Sequence, residues 1–171
     1  MLIGLLSDTH IDSPREGLPL QIKDVFRGAD LILHAGDIWI PSVLDELECI
    51  APVLAARGDD DRKVDIGDDS RIASRQTLSV EGLTLWVTHI KPHYKVTNPE
   101  EKLYFPGHSP EDLPDVIVFG HTHRAIIEHY NGALLVNPGS PTVPRYIPRL
   151  GTVALLTVGC GKAEAHIVQL E

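Results

Sequence analysis

The chain has 171 residues, of which 43% are hydrophobic, and this is enough to build the core of one soluble domain, expected over residues 1–171. Its 15 Lys and Arg stand against 24 Asp and Glu, for a formal charge of -9, which argues against stable binding of duplex nucleic acid. The apolar runs are strand-sized, so we expect a cytoplasmic protein without a membrane span or signal peptide. Cys49 and Cys160 lack CxxC spacing, and we expect two reduced, mostly buried thiols.

Apolar runs with the length and composition of β-strands occur along the whole chain. In chain order they span residues 2–6, 31–33, 53–55, 83–87, 116–119, 125–127, 134–136, 153–158 and 163–170. Helix-compatible segments at 19–27 and 42–49 separate the first three runs, which predicts a parallel sheet. Short turns such as Asn131-Gly132 join later runs, which predicts antiparallel pairing there. We expect an α/β fold in which two mixed β-sheets pack as a sandwich flanked by α-helices.

Five of the apolar runs end in a short polar sequence with carboxylate or imidazole groups. These sequences are Ser7-Asp8-Thr9-His10, His34-Ala35-Gly36-Asp37, Gly58-Asp59-Asp60-Asp61, Thr88-His89 and Gly120-His121-Thr122-His123. Any one of them can arise by chance. Since the carboxyl ends of parallel strands meet along one edge of a sheet, their conjunction predicts that the five sequences converge on one crevice.

The residue types in these sequences indicate a metal centre. Three Asp and four His without a thiolate suit manganese, iron or zinc, whereas calcium prefers more oxygen ligands. Seven ligands match two ions, roughly 3.5 to 4 Å apart, that share a bridging carboxylate and a bridging water. Such a pair supplies hydroxide near neutral pH and neutralises charge on a phosphoryl group, so the pattern predicts hydrolysis at phosphorus.

The order Asp-x-His, Gly-Asp, Gly-Asn-x-Asp/Glu, His, Gly-His-x-His resembles the calcineurin-like metallophosphoesterases. The resemblance covers most of the chain, and the run Asn137-Pro138-Gly139-Ser140 followed by Pro144-Arg145 looks like the small single-domain phosphodiesterase branch of bacteria and archaea. It implies that the ligands of one ion are Asp8, His10 and His123. Asp37 would be a carboxylate that bridges this ion to a second one. The second site would be completed by Asp59, His89 and His121.

The chain departs from the family pattern at three positions. Asp59 stands where the family has Asn, which lowers the charge of the centre by one unit and is expected to favour diesters over dianionic monoesters. The alternative is that Asp59 points away and the second site is weaker. Asp60 stands where many members carry His, and it can act as the general acid only if neighbouring carboxylates raise its pKa. Ile90 replaces the Gly that commonly follows His89.

Four further residues have predicted roles near the centre. We expect Asp61 to orient an imidazole and His34 to be a hydrogen-bond donor behind the ligands. Arg145 is expected either to meet a phosphate oxygen or to be an ordinary surface arginine. Trp39 is expected either to form a wall of the crevice or to pack in a satellite core.

The long segment 91–114 is expected to be a loop over the site, because it is rich in Pro and mixes His, Tyr and charged residues. Four of its residues are expected either to stack on a base or sugar or to pack the loop onto its own sheet. They are His93, Tyr94, Tyr104 and His108.

These features together predict a metal-dependent phosphodiesterase that hydrolyses a small phosphate diester with a hydroxide bridging two divalent ions. Manganese is the expected metal, with iron, zinc or nickel as alternatives. A phosphomonoesterase or nucleotidase with the same site, and a protein-binding scaffold of the same fold as in a retromer subunit, remain open. The substrate is expected to be small, with a short or cyclic nucleotide as one candidate. Small members of the family are often dimers or tetramers, so a homo-oligomer is compatible with the sequence.

Overall fold

A computed structural model describes residues 1–92, 114–130, 132–143 and 151–171 of the chain. The helices in these ranges are α1 (Gln21–Val25), α2 (Ser42–Glu48) and α3 (Lys63–Ile66). The strands are β1 (Leu2–Leu6), β2 (Leu31–His34), β3 (Val53–Ala56), β4 (Ile72–Ala73), β5 (Gln76–Val80), β6 (Leu83–Val87), β7 (Val116–Val118), β8 (Ile126–Tyr130), β9 (Ala133–Asn137), β10 (Thr152–Gly159) and β11 (Lys162–Gln169). One sheet has the order β11-β10-β1-β2-β3-β4, and the other has the order β5-β6-β7-β9-β8.

The first sheet contains the predicted parallel core. β1 pairs with β2 and β2 with β3 in parallel, and the connections pass through α1 and α2. Side chains of the two helices and of the adjoining loops cover one face of this sheet, where Phe26, directly after α1, and Leu44 and Leu47 of α2 pack with Leu6 and Ile32. β10 and β11 add an antiparallel pair at the edge beside β1.

The second sheet is more parallel than the sequence predicted. β5 with β6 and β8 with β9 are antiparallel, but β6 with β7 and β7 with β9 are parallel. The expectation of antiparallel pairing is therefore wrong for β6, β7 and β9. A hairpin turn can pair only strands that are consecutive in the chain. β7 pairs with β9, and β8, which lies between them in sequence, is at the edge of the sheet. The chain from β6 to β7 is long enough for a crossover, which parallel strands require. Asn131 of the predicted turn lies outside the described residues.

The two sheets pack face to face through an apolar layer. Ile3 and Leu5 from the first sheet contact this layer on one side, and Leu85, Val118 and Val136 from the second sheet on the other. All five are fully buried. The predicted fold class, two mixed sheets in a sandwich with flanking helices, is confirmed. Its consequence for function is that parallel strand ends from both sheets lie along one edge.

Two expectations about the periphery need separate comment. Cys49 and Cys160 are free, as expected, but both are exposed rather than buried. Cys49 directly follows α2, and Cys160 lies in the turn between β10 and β11 with φ of 52°, so neither belongs to a strand interior. In the described part of the chain, no helix has the length and apolarity needed to cross a membrane.

Candidate metal centre

The candidate ligands follow strands of both sheets, and backbone hydrogen bonds hold their loops against one another. The Asp8 N–H donates to the Gly36 carbonyl at 2.9 Å and the His10 N–H to the Asp37 carbonyl at 3.1 Å. The N–H of His121 donates to Asp8 Oδ1 at 3.0 Å, which joins the end of β7 to the end of β1. The predicted convergence of the strand ends is therefore present in the structure.

The loops that carry the candidate ligands share an uncommon backbone conformation. Alternate residues have positive φ in three of these loops, a conformation that costs energy for residues other than glycine. The pairs are Asp8 at 55° with His10 at 46°, Asp37 at 57° with Trp39 at 74°, and His121 at 68° with His123 at 56°. Such strain is concentrated at functional sites, because the surrounding structure must hold it in place.

The first group of candidate ligands comprises Asp8, His10, Asp37 and His123, whose donor atoms all lie within 4.8 Å of one another. The Nε2 atoms of His10 and His123 are 3.1 Å apart. His10 Nε2 lies 3.5 Å from Asp37 Oδ2, and His123 Nε2 lies 3.4 Å from Asp8 Oδ1. These are nitrogen and oxygen atoms that point at a common centre.

The second group comprises Asp59, His89 and His121. Asp59 Oδ1 lies 2.8 Å from His89 Nε2 and 3.1 Å from His121 Nδ1, so this carboxylate points into the group and not away from it. Asp37 Oδ2, 3.3 Å from His89 Nε2, lies between the two groups. This is the position that a carboxylate bridging two ions requires. The role of the seven residues as ligands stays a prediction.

Burial and neighbouring charges shift the pKa values of the candidate ligands in different directions. Burial raises the pKa of the Asp8 carboxyl to about 6. Burial lowers the pKa values of His10 and His123. For His89, burial acts to lower the pKa, but the Asp37 carboxylate beside Nε2 and the hydrogen bond from Nδ1 to the Ala35 carbonyl outweigh it and raise the pKa to about 9. The surroundings of the His89 ring therefore stabilise positive charge at this position.

The environment of His89 tests whether a cation fits here. Its Nδ1 donates a hydrogen bond to the Ala35 carbonyl at 2.7 Å, so Nδ1 carries the hydrogen. The buried Nε2 has no hydrogen bond of acceptable geometry with any described residue, although it faces carboxylate oxygens of Asp37 and Asp59. A neutral ring would direct a lone pair at those oxygens. Positive charge between Nε2 and the oxygens, which a proton supplies in the metal-free protein and a metal ion can supply in its place, removes this repulsion. The donor set of imidazoles and carboxylates fits manganese, iron or zinc.

Asp61 has a different role from the predicted one. Its carboxylate accepts hydrogen bonds from the backbone N–H groups of Asp37, Ile38, Trp39 and Gly58, at 3.0, 2.7, 2.8 and 2.7 Å. The prediction that Asp61 orients an imidazole is wrong, because these four amides occupy its oxygens. Asp61 instead holds the loop that carries Asp37 against the loop that carries Asp59.

His34 is buried behind the candidate ligands. Its Nδ1 accepts the Gly36 N–H at 3.1 Å, so Nε2 carries the hydrogen and donates to Thr9 Oγ1, also at 3.1 Å. Burial lowers the pKa of the His34 imidazole to about 3, and the ring is neutral. The partner of its N–H is Thr9, between Asp8 and His10, and not a ligand side chain. A fully buried ring has no access to a substrate.

Trp39 and Asp60 line a cavity of about 390 Å³ beside the first group. The Trp39 ring meets the His10 ring edge to face, with centroids 4.8 Å apart, and the Asp60 N–H donates to Asp37 Oδ1 at 3.1 Å. Of the two predicted locations for Trp39, the wall of the crevice is therefore the one observed. Arg145 lies outside the described residues, as do the loop residues His93, Tyr94, Tyr104 and His108.

The sequence assigned no role at the centre to several residues that brace it. Ser140 Oγ donates to the Asp8 carbonyl at 2.7 Å, and Asn137 Nδ2 donates to the Gly120 carbonyl at 2.9 Å. A Cβ at Gly58 would lie 2.0 Å from Asp37 Oδ1, and one at Gly120 would lie 1.9 Å from Ser7 Oγ. The Asn-Pro-Gly-Ser run and the glycines within the motifs were the available signals, because glycine permits close approach of two backbones. Arg57 was also missed and is considered below.

The proteins that resemble this chain in sequence belong to one family. The profile of the calcineurin-like phosphoesterase superfamily domain matches residues 1–160. A probable metallophosphoesterase from Methanothermobacter thermautotrophicus is 35% identical over 169 residues, covering 99% of this chain and 92% of the relative. A phosphodiesterase from Methanocaldococcus jannaschii is 26% identical, covering 91% of this chain and 92% of the relative. The crystal structure of wild-type Vps29 with zinc from Entamoeba histolytica has a TM-score of 0.67 at 18% identity and covers all of both chains.

Proposed function

The chain belongs to the calcineurin-like phosphoesterase superfamily, and from this membership we propose that it is a metal-dependent phosphodiesterase acting on a small phosphate diester. This membership confirms the resemblance noted in the sequence. The observation that carries the proposal is the position of Asp37, whose Oδ2 lies 3.5 Å from His10 Nε2 and 3.3 Å from His89 Nε2. Two bound ions would share a carboxylate that lies between their two groups of donor atoms. The relative named a phosphodiesterase supports the choice of a diester.

Two divalent ions would be held by the two groups that meet at Asp37. The group of Asp8, His10 and His123 would hold one ion, and the group of Asp59, His89 and His121 the other. Bound ions would lower the pKa of a water molecule that attacks phosphorus and would neutralise charge on the phosphoryl oxygens. Manganese is the proposed metal, and the zinc complex of Vps29 shows that a neighbour of this fold accepts a metal of the same class.

The protein's own residues then have distinct tasks. Asp61 fixes the backbone that carries Asp37 and Trp39, so the bridging carboxylate needs no rearrangement when substrate binds. Trp39 forms the wall against which one ester group of the substrate lies. Asp60 lines the same cavity, and its negative charge acts to raise the pKa values of both His10 and His123. Its position next to Asp37, to which its N–H donates, makes Asp60 our proposed group for holding a proton at the leaving oxygen.

Preference for diesters over monoesters follows from Asp59. The carboxylate at this position lowers the charge of the loaded centre by one unit relative to the asparagine of the family pattern. A dianionic monoester therefore loses more attraction than a diester, which carries one negative charge on phosphorus. The monoesterase or nucleotidase is the competing function that this reasoning disfavours.

The test combines metal analysis of the purified protein with hydrolysis of bis-p-nitrophenyl phosphate and p-nitrophenyl phosphate, before and after chelation. We expect two ions per chain, loss of activity on chelation, recovery with manganese, and faster turnover of the diester. Asp37→Asn should abolish activity, whereas Asp24→Asn, an equal charge change on exposed helix α1, should not. Diesterase activity that survives chelation would contradict the proposal. Faster turnover of the monoester would favour the nucleotidase, and no hydrolysis of either would favour a scaffold.

A further inference from the structure

A second cavity, of about 260 Å³, opens on the other group of candidate ligands. It is lined by Arg57, Gly58, Asp59, Ser74, Thr88, His89 and Ile90. Arg57 directly follows β3, Ser74 directly follows β4 and Thr88 directly follows β6. The cavity therefore lies at the same sheet edge as the candidate metal centre and is continuous with it through Asp59 and His89.

Three residues that line this cavity carry hydrogen-bond donors that are unused within the described part of the chain. The Arg57 guanidinium and the hydroxyl groups of Ser74 and Thr88 make no side-chain hydrogen bond or ion pair with another described residue. Asp59 does not neutralise Arg57, because its Oδ1 is directed to His89 and His121. A positive charge beside two hydroxyl donors is a combination that recognises phosphate or carboxylate oxygens.

The backbone holds Arg57 firmly although its side chain is exposed. The Arg57 N–H donates to the Ala73 carbonyl at 2.8 Å, and the next residue, Gly58, donates to Asp61 at 2.7 Å. The base of the side chain is therefore fixed relative to the loop that carries Asp59. A guanidinium on a fixed base loses less conformational freedom when it binds an anion.

The cavity beside Trp39 is more acidic. Three carboxylates line it, from Asp12, Asp60 and Asp65. Its one basic group, Arg62, is paired with Asp65 at 2.6 Å between Nε and Oδ2. The two cavities that flank the centre thus differ in charge, and a negatively charged ester group is repelled by the carboxylates of one and attracted by the Arg57 guanidinium of the other.

We propose that Arg57, with Ser74 and Thr88, forms an anion subsite, and that the substrate is an asymmetric phosphodiester in which one ester arm ends in a second anionic group. The uncharged arm then lies along Trp39. This inference rests on the proposed function, because it assumes that the scissile phosphate lies at the candidate metal centre. It assigns the substrate class of that site and its orientation.

The test measures binding by calorimetry to manganese-loaded protein. Thymidine 3′,5′-bisphosphate and thymidine 5′-monophosphate are a matched pair that differ by one phosphate. We expect the bisphosphate to bind about tenfold more tightly to the wild-type protein, the range expected for one charge-assisted hydrogen-bonded contact. Arg57→Gln should remove the difference, and Arg57→Lys should retain part of it. Arg27→Gln, at an exposed arginine paired with Asp24 of α1, should leave the difference unchanged.

Equal affinity of the two nucleotides for the wild-type protein would overturn the inference, and so would a preference that persists in Arg57→Gln. Failure of the proposed function gives a different result. If the bisphosphate preference depends on Arg57 but neither p-nitrophenyl thymidine 5′-phosphate nor its 3′-phosphorylated form is hydrolysed with manganese, the anion subsite stands and the phosphodiesterase assignment falls. If both are hydrolysed with equal kcat/KM, the subsite assignment falls and the phosphodiesterase stands.

Discussion

The carboxylate of Asp61 accepts a hydrogen bond from the backbone N–H of Trp39, with 2.8 Å between Oδ1 and N. Trp39 has φ of 74°, a conformation that is strained for an aromatic residue. The same carboxylate binds the N–H groups of Asp37 and Ile38. One buried carboxylate therefore stabilises a strained loop that presents both Asp37, the proposed bridging ligand, and Trp39, which lines the cavity.

Replacing Asp61 by Asn tests this role. The amide has one acceptor oxygen and presents an NH2 group to backbone donors, so we expect the free energy of unfolding to fall by about 1 to 3 kcal/mol. Displacement of Asp37 should also weaken manganese binding by about tenfold. Urea denaturation with chelator and manganese titration measure the two effects. Asp68→Asn, at an exposed residue paired with Lys63, is the matched control, and unchanged manganese affinity in Asp61→Asn would contradict the role.

Gly58 is predicted to be intolerant of any side chain. A Cβ there would lie 2.0 Å from Asp37 Oδ1 and 2.2 Å from the Asp37 backbone nitrogen. Gly58→Ala should displace Asp37 and reduce diesterase activity by at least about 100-fold, since a shift of about 1 Å in a catalytic group has that effect. Gly159→Ala is the control, because a Cβ at that position meets nothing within 4 Å. Activity of Gly58→Ala near the wild-type level would show that Asp37 has room to move.

His34 should make the stability of the metal-free protein depend on pH. Burial lowers its pKa from 6.5 to about 3, so below pH 6.5 the unfolded chain binds a proton that the folded protein does not. The stabilising contribution is therefore present above about pH 6.5 and is lost as the pH falls towards 3. Between these values the free energy of unfolding should fall more steeply in the wild type than in His34→Gln, by up to about 1.4 kcal/mol per pH unit. Urea denaturation at several pH values measures both slopes, and parallel slopes would refute the assignment.

Asp59→Asn should change the choice between substrates. The loaded centre gains one unit of positive charge, which favours a dianionic monoester over a monoanionic diester. We expect the ratio of monoesterase to diesterase kcat/KM to rise by about tenfold, with both metal sites occupied. Parallel assays of p-nitrophenyl phosphate and bis-p-nitrophenyl phosphate give this ratio, with Asp68→Asn as the charge control. A ratio equal to that of the wild type would mean that Asp59 does not set the preference.

Elements with continuous apolar composition were predictable from the sequence. The runs at 2–6 and 83–87 coincide with β1 and β6, and the helix predicted at 42–49 differs from α2 by one residue. β5 was missed because polar residues alternate along it, with its burial alternating in the same way. Such a strand has half the apolar residues of a buried one and resembles a loop in composition.

The sequence by itself determined the donor chemistry and the edge at which it gathers, because apolar periodicity defines the strands and parallel strands bring their carboxyl ends together. Only the tertiary structure decided which atoms meet. Asp8 and His121 are 113 residues apart and are joined by a hydrogen bond, and Asp61 binds backbone amides where an imidazole partner was predicted. Contacts between distant segments depend on the pairing register and on packing of the two sheets, and neither is contained in the local pattern around any one residue.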